Sequence, residues 1–133
     1  MTATPDARNE THELPFSRET NRAARRLLAD FVGRQHLGAD AAMDAAIVLG
    51  ELVANGLDHG RPDLRMGLEV SWMLEEHSLR LSVLDGGGHT RPHVVAAGAT
   101  DTRGRGLAMV EALSTSWWVE AQGGTRVTAV LAV

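Results

Sequence analysis

The sequence contains no cysteine, which excludes disulfide bonds, thiolate metal sites and cysteine nucleophiles. It also contains no lysine, because all 13 basic residues are arginine. Without lysine, neither a Walker A phosphate loop nor Schiff-base chemistry is available. A chain without cysteine also fits a reducing compartment, so we expect a cytoplasmic protein.

Long hydrophobic runs are missing as well. No stretch of about 18 apolar residues occurs, and the N-terminus is polar and acidic, so we expect neither a membrane span nor a signal peptide. The net charge of −4 argues against direct nucleic-acid binding, which needs a positive field to engage phosphates. A protein partner or a small ligand is expected instead.

The length and composition fit one domain, since 133 residues with 44% hydrophobic side chains can bury a core. Residues 1–11 are polar and lack periodicity, so we predict a flexible arm there and a single domain over residues 12–133.

Hydrophobic periodicity predicts helices and strands in a definite order. An edge strand at 12–16 precedes a helix from an N-cap at Ser17 to about Gln35, and a cap at Asp40 opens a helix over 41–59 that stops at Gly60. The remaining predictions are a hairpin of 68–74 with 79–84, a long loop over 86–103, a short helix over 106–113 and a hairpin of 117–121 with 125–133. This order predicts an α+β fold, with helices on one face of a mixed, mostly antiparallel sheet.

A polar stripe follows the second predicted helix at Glu51, Asn55 and either Asp58 or His59. One carboxylate and one amide on a helix face suit Mg²⁺, which takes few protein oxygens and several waters. Glu51 has the chemistry of a general base for an attacking hydroxyl. A solvated polar face explains the same pattern, so this block alone leaves both interpretations open.

Asp85 ends an alternating strand and precedes three glycines. A carboxylate in that place can accept a hydrogen bond from the exocyclic amine of adenine. Burial would enforce the pairing, because an unpaired buried polar group costs about 1–3 kcal/mol. An ordinary Asp-Gly turn is the alternative.

The segment 102–107 places Gly104 and Gly106 just before a predicted helix. Glycines let backbone amides approach an anion closely, and the helix start offers free N–H groups and a positive dipole end. Arg103 and Arg105 add positive charge that a phosphate would use. A glycine-containing loop before a helix is the simpler interpretation, and the spacing is not a Rossmann fingerprint.

Thr125 follows Gly124 and opens the last predicted strand, where its hydroxyl could reach a phosphate. A β-branched residue after a hairpin turn explains it at least equally well, and Thr128 is a competing candidate.

In combination, the blocks Glu51-x-x-x-Asn55, Asp85-x-Gly87, Gly104-x-Gly106 and Gly124-Thr125 resemble the GHKL ATPases, a superfamily that includes gyrase, Hsp90, histidine kinases and MutL. The segments 51–60 and 104–114 resemble in particular the anti-sigma-factor serine/threonine kinases of bacteria. The resemblance covers roughly residues 12–133. It implies the two-layer α/β sandwich of the GHKL (Bergerat) type, with Mg-ATP beneath a mobile lid spanning about residues 88–103.

The resemblance also implies roles for matching residues. Glu51 would be the general base, Asn55 the Mg²⁺ ligand and Asp85 the carboxylate that reads adenine, with Gly87 beside the ring. The other residues implied to bind the nucleotide are His59, Arg103, Gly104, Arg105, Gly106 and Leu107, together with Thr125 on the adenine side. Gly56 departs from the common pattern, in which alanine is usual, and this would enlarge the space near the nucleotide.

The implied activity is transfer of the γ-phosphate of ATP to a serine of an anti-anti-sigma (STAS-domain) partner, in competition with sequestration of a sigma factor. The alternative is a non-catalytic switch that binds a protein with or without nucleotide. The catalytic domain of a split histidine kinase is disfavoured, because no helical hairpin with a phosphoacceptor histidine precedes the site. Family members commonly form homodimers, and the pair Trp117 and Trp118 would allow such a contact.

Overall fold

The structure is a computed structural model that describes residues 8–88, 102–121 and 123–133, and for residues 102–106 it describes the backbone only. Its elements are, in chain order, β1 (Asn9–Pro15), α1 (Glu19–Arg34), α2 (Ala39–His59), β2 (Gly67–Leu74), β3 (Ser78–Asp85), α3 (Thr102–Leu113), β4 (Ser116–Ala121) and β5 (Thr125–Ala132). The predicted α+β fold class is confirmed.

The strands form one five-stranded sheet in the order β1-β2-β3-β5-β4. Each of the four pairings within the described ranges is antiparallel, so the sheet shows no parallel pairing there. In the register of β3 with β5, Asp85 lies opposite Thr125. This pairing brings together two residues that are 40 positions apart in the sequence.

The core lies between the sheet and the helices. Along β3, Leu79, Leu81 and Val83 are almost fully buried, as the alternating pattern predicts. The helix α2 is central, since it packs against α1, α3 and β3. Its buried side chains include Val48, Leu49, Leu52 and Val53. Burial of such aliphatic side chains contributes roughly 1.5–3 kcal/mol each, and it fixes which face of α2 remains for the polar residues.

The helix starts differ from the predicted ones. Arg18 rather than Ser17 immediately precedes α1, although its backbone angles are already helical, and Gly38 rather than Asp40 precedes α2. Neither cap residue makes a side-chain capping hydrogen bond. The predicted end of α2 at Gly60 is confirmed, and the Gly60 N–H donates to the carbonyl of Gly56.

The starts of β1 and α3 also differ from the predicted ones. Strand β1 begins at Asn9, inside the segment predicted as an arm, because Asn9 pairs with Met73 of β2. Helix α3 begins at Thr102 rather than near Gly106, so Gly104 and Gly106 lie within its first turns. Packing of α3 on α2 overrides the low helix propensity of these glycines. Most of the predicted lid, residues 89–101, lies outside the described residues, as do residues 1–7.

None of the helices in the part of the chain that the structure describes is long and apolar enough to cross a membrane.

Candidate functional site

The Asp85 carboxylate is the centre of the site. Asp85 is the last residue of β3 and is only 2% exposed. The N–H of Gly87 donates to its Oδ1 at 2.6 Å, so the residue does form the tight Asp-Gly turn that was one interpretation of the sequence. A turn alone does not require burial, however, and burying a carboxylate is costly unless it is hydrogen-bonded.

The end of α2 packs directly on this carboxylate through glycine. A Cβ added to Gly60 would lie 2.4 Å from Cγ of Asp85, so any side chain at this position would displace the carboxylate. Gly60 has φ −94°, which any residue can adopt, so its requirement for glycine is a matter of space rather than of backbone conformation. The local sequence predicts Gly60 only as the end of a helix. Its role beside Asp85 carries no local sequence signal.

Gly56 lies one turn earlier on the same edge of α2. A Cβ there would lie 3.5 Å from Oδ2 of Asp85 and 3.2 Å from Cδ1 of Leu68. An alanine methyl group at this position would therefore contact both the carboxylate and Leu68, and a wider space near the nucleotide at Gly56 stays a prediction.

The glycines after Asp85 are needed for both conformation and space. Gly87 and Gly88 have φ values of 84° and 85°, in the left-handed region that glycine adopts at little cost. The N–H of Gly86 donates to the carbonyl of Arg61 at 2.7 Å, and a Cβ on Gly86 would lie 2.1 Å from the Pro62 carbonyl oxygen. The segment after α2 therefore forms one wall of the Asp85 turn.

The start of β5 forms a second wall. A Cβ on Gly124 would lie 2.1 Å from the Asp85 carbonyl oxygen, so β5 also approaches the turn through a glycine. A Cβ on Gly87 would lie 3.7 Å from Oγ1 of Thr125. Thr128, the competing candidate, is buried further along β5 opposite Ser82. The geometry therefore places Thr125 beside the Asp85 turn.

The polar residues Glu51, Asn55 and His59 lie in the C-terminal half of α2, and His59 is its last residue. Glu51, Asn55 and His59 are all partly buried. Nδ2 of Asn55 is fully buried and has no hydrogen-bond partner among the residues that the structure describes. A buried amide group without a hydrogen-bond partner costs about 1–3 kcal/mol of stability, and a ligand that contacts the group could offset this cost. Gly60 lies nine positions after Glu51, a rise of about 13 Å along the helix axis.

The glycine-rich segment of the third block lies at the start of α3. The backbone at Arg103, Gly104, Arg105 and Gly106 belongs to this helix, and Leu107 is buried at 5% exposure. Because α3 packs against α2, its N-terminal end belongs to the same side of the sheet as Glu51 and Asn55. The unsatisfied N–H groups of a helix start favour an anion.

No group of three or more histidine, cysteine or acidic side chains that could hold a metal ion occurs among the described residues.

The Glu13 carboxyl of β1 and the Asp63 carboxyl in the loop after α2 form a hydrogen-bonded pair that no local sequence pattern indicates. The N–H groups of Arg65 and Gly67 donate to Oδ1 of Asp63, each at 2.9 Å, and a Cβ on Gly67 would lie 2.4 Å from Oε2 of Glu13. Desolvation and then the hydrogen bond with Asp63 raise the pKa of Glu13 from 4.5 to about 7. Desolvation opposes the shift at Asp63, but hydrogen bonds from Gly67, Glu13 and Arg65 lower its pKa.

Comparison with known proteins agrees with this architecture. Residues 14–131 match the family model described as the histidine kinase-like ATPase domain. The fold is similar, with a TM-score of 0.72 and 23% identity, to a crystal structure of the RsbU and RsbW domains of Rv1364c from Mycobacterium tuberculosis. That match covers 98% of this chain and 33% of the other, so the chain spans about a third of the length of the solved one. The sequence matches no curated protein.

Proposed function

Because the chain belongs to the histidine kinase-like ATPase domain family, we propose that it binds ATP at the Asp85 turn and transfers the γ-phosphate to a serine of a protein partner. The observation that carries the proposal is the buried Asp85 carboxylate, against which Gly60 packs with no space for a side chain. A buried acceptor at the open end of a strand is suited to selecting a ligand by one hydrogen bond.

The adenine end of the nucleotide is assigned to Asp85, Gly87 and Thr125. The Asp85 carboxylate would accept the exocyclic amine, the Gly87 backbone would lie beside the ring, and the Thr125 hydroxyl would support this side. The proximity of Gly87 to Thr125 and the pairing of Asp85 with Thr125 support this assignment. His59 immediately precedes Gly60 and is proposed as a further contact.

The phosphates are assigned to the start of α3. Gly104 lies in the first turn, whose N–H groups have no acceptor within the helix and would face the phosphates, while Gly106 would let the backbone approach them closely; the charges of Arg103 and Arg105 would add attraction. The backbone preceding Leu107 belongs to the same helix start. The helical backbone from Thr102 onward supports this assignment.

Asn55 fits the role of the Mg²⁺ ligand, because Nδ2 of its side-chain amide is buried and has no hydrogen-bond partner among the described residues. Amide oxygen and nitrogen exchange places by a simple rotation, so the same site can present an oxygen to a cation. When bound, Mg²⁺ would neutralise phosphate charge. One turn earlier, the Glu51 carboxylate would take the proton of the attacking serine hydroxyl while the new Oγ–P bond forms and ADP leaves with the electrons of the broken bond.

The distance along α2 fits this division of roles. About 13 Å of helix axis separates Glu51 from Gly60, which is comparable to an extended nucleoside triphosphate. One ATP molecule could thus contact Asp85 with its base and approach Glu51 with its γ-phosphate.

The proposed partner is an anti-anti-sigma (STAS-domain) protein, with sigma-factor binding as the competing interaction and transcription regulation as the outcome. The similar fold in Mycobacterium tuberculosis is an RsbW domain in a chain that also has an RsbU domain, which supports a regulatory role. A cytoplasmic location and a homodimer remain predictions.

The experiment is phosphoryl transfer from labelled ATP with Mg²⁺ to a candidate STAS-domain protein. Glu51→Gln should reduce transfer at least 100-fold, as expected for loss of a general base, while ATP affinity stays within about threefold. Glu76→Gln, an exposed carboxylate in the turn between β2 and β3, is the matched control and should leave transfer unchanged. ATP binding without transfer to any such partner would instead support a non-catalytic switch.

A further inference from the structure

Arg61 follows the end of α2 and reaches across the Asp85 turn. A Cβ added to Gly88 would lie 2.3 Å from Nε and 2.6 Å from Cζ of Arg61. The guanidinium therefore packs directly on the α-carbon of Gly88. No block of the sequence singled out this arginine.

The backbone of Arg61 is also fixed to the turn. Its carbonyl accepts the N–H of Gly86 at 2.7 Å, and Gly60, the preceding residue, packs on the Asp85 carboxylate. The main chain of residue 61 thus borders one end of the turn, and its side chain covers the other end. A base held by Asp85 beside Gly87 would lie next to this guanidinium.

The charge of Arg61 is available to a ligand. Arg61 is exposed, and its guanidinium has no hydrogen bond or ion pair within residues 8–88, 102–121 and 123–133. Arg65, in the same loop, differs because the carboxylates of Glu13 and Asp63 are close enough to interact with its charge. A guanidinium held beside a binding site without an anionic partner is suited to stacking on a flat, electron-rich ring.

We propose that Arg61 is a nucleotide-binding residue whose guanidinium stacks on the base held by Asp85. This inference rests on the proposed ATP site and adds a second contact to the base, besides the hydrogen bond to Asp85. The planar guanidinium matters as well as the charge, so lysine is expected to be a poor replacement.

The test is calorimetric titration of the whole chain with AMP, ADP and ATP. Arg61→Gln should weaken all three by about the same factor, roughly tenfold, as expected for loss of a stacked cation. Arg61→Lys should lose most of the same affinity. Arg65→Gln removes an exposed charge from the same loop and should stay within twofold of the unmodified protein. The thermal unfolding midpoint of each variant serves as the check on folding.

Unchanged affinities in Arg61→Gln would overturn this inference and leave the proposed function intact. A loss that grows from AMP to ATP would also overturn it, because it would assign Arg61 to the phosphates instead. If the unmodified protein binds none of the three nucleotides, the proposed function fails, and the inference fails with it.

Discussion

Replacing Gly60 by alanine tests how closely α2 approaches the Asp85 carboxylate. The new Cβ would lie 2.4 Å from Cγ and 2.5 Å from Oδ2 of Asp85, and 2.7 Å from the Gly56 carbonyl oxygen. Favourable contacts between carbon atoms lie at about 3.5–4.0 Å, so the carboxylate and the helix end must separate by about 1 Å. None of these three atoms can yield by a simple side-chain rotation, because two belong to a buried, hydrogen-bonded carboxylate and the third is a backbone oxygen.

We expect Gly60→Ala to reduce the free energy of unfolding by about 1–3 kcal/mol, the usual cost of overpacking. The displaced carboxylate should also weaken ATP binding at least tenfold, which corresponds to about 1.4 kcal/mol. Urea unfolding and calorimetric titration measure the two effects separately. The backbone angles of Gly60 suit alanine, so neither effect would reflect backbone strain.

Gly33→Ala is the matched control, because a Cβ at Gly33 in α1 would have no neighbour within 4 Å. It should stabilise the protein by about 0.5–1 kcal/mol through helix propensity and leave ATP binding unchanged. If Gly60→Ala behaves like this control in both assays, the close packing of Gly60 on Asp85 is wrong.

Two further predictions concern neighbouring contacts. Gly56→Ala should change the free energy of unfolding by less than about 1 kcal/mol. Its Cβ would lie 3.2 Å from a flexible methyl group of Leu68, and the gain in helix propensity offsets this close contact. A loss above about 2 kcal/mol in urea unfolding would contradict this prediction. The pKa of Glu13 is raised from 4.5 to about 7, so the stability it contributes is present below pH 4.5 and is lost as the pH rises through 7. Because Glu13 is exposed, solvent screening limits that loss to about 0.5–1 kcal/mol. Urea unfolding should give a lower free energy of unfolding at pH 8 than at pH 5 in the unmodified protein, and this difference should be absent in Glu13→Gln. The same pH dependence of the free energy of unfolding in both proteins would refute the prediction.

The elements that local chemistry determines could be predicted from the sequence. Helix α2 was found because its apolar positions repeat with helical spacing up to Gly60, and β3 because Leu79, Leu81 and Val83 alternate with polar residues. The proximity of Asp85 to Thr125 was implied only through the resemblance, since pairing between strands depends on register rather than on local pattern.

The contacts that could not be predicted join segments far apart in the sequence. The packing of Gly60 on Asp85 and of Arg61 on Gly88 arises only when the end of α2 meets the end of β3. The shared hydrogen bond of Glu13 with Asp63 arises in the same way, from the position of β1 beside β2. The glycines at 104 and 106 predict a later helix start than the structure shows, because the packing of α3 on α2 outweighs their low helix propensity.

The most direct test of an ATP site at the Asp85 turn is calorimetric titration of ATP into Asp85→Asn and into Asp30→Asn. Asparagine at position 85 would replace the carboxylate that the adenine amine is proposed to meet by an N–H₂ group or a neutral oxygen. Loss of a hydrogen bond to a charged group costs about 1.5–3 kcal/mol. We therefore predict that ATP affinity falls about 10- to 100-fold in Asp85→Asn. The exposed Asp30 of α1 lies outside the site, and its variant should bind as the unmodified protein does. Equal affinity of all three proteins for ATP would contradict the assignment of this site.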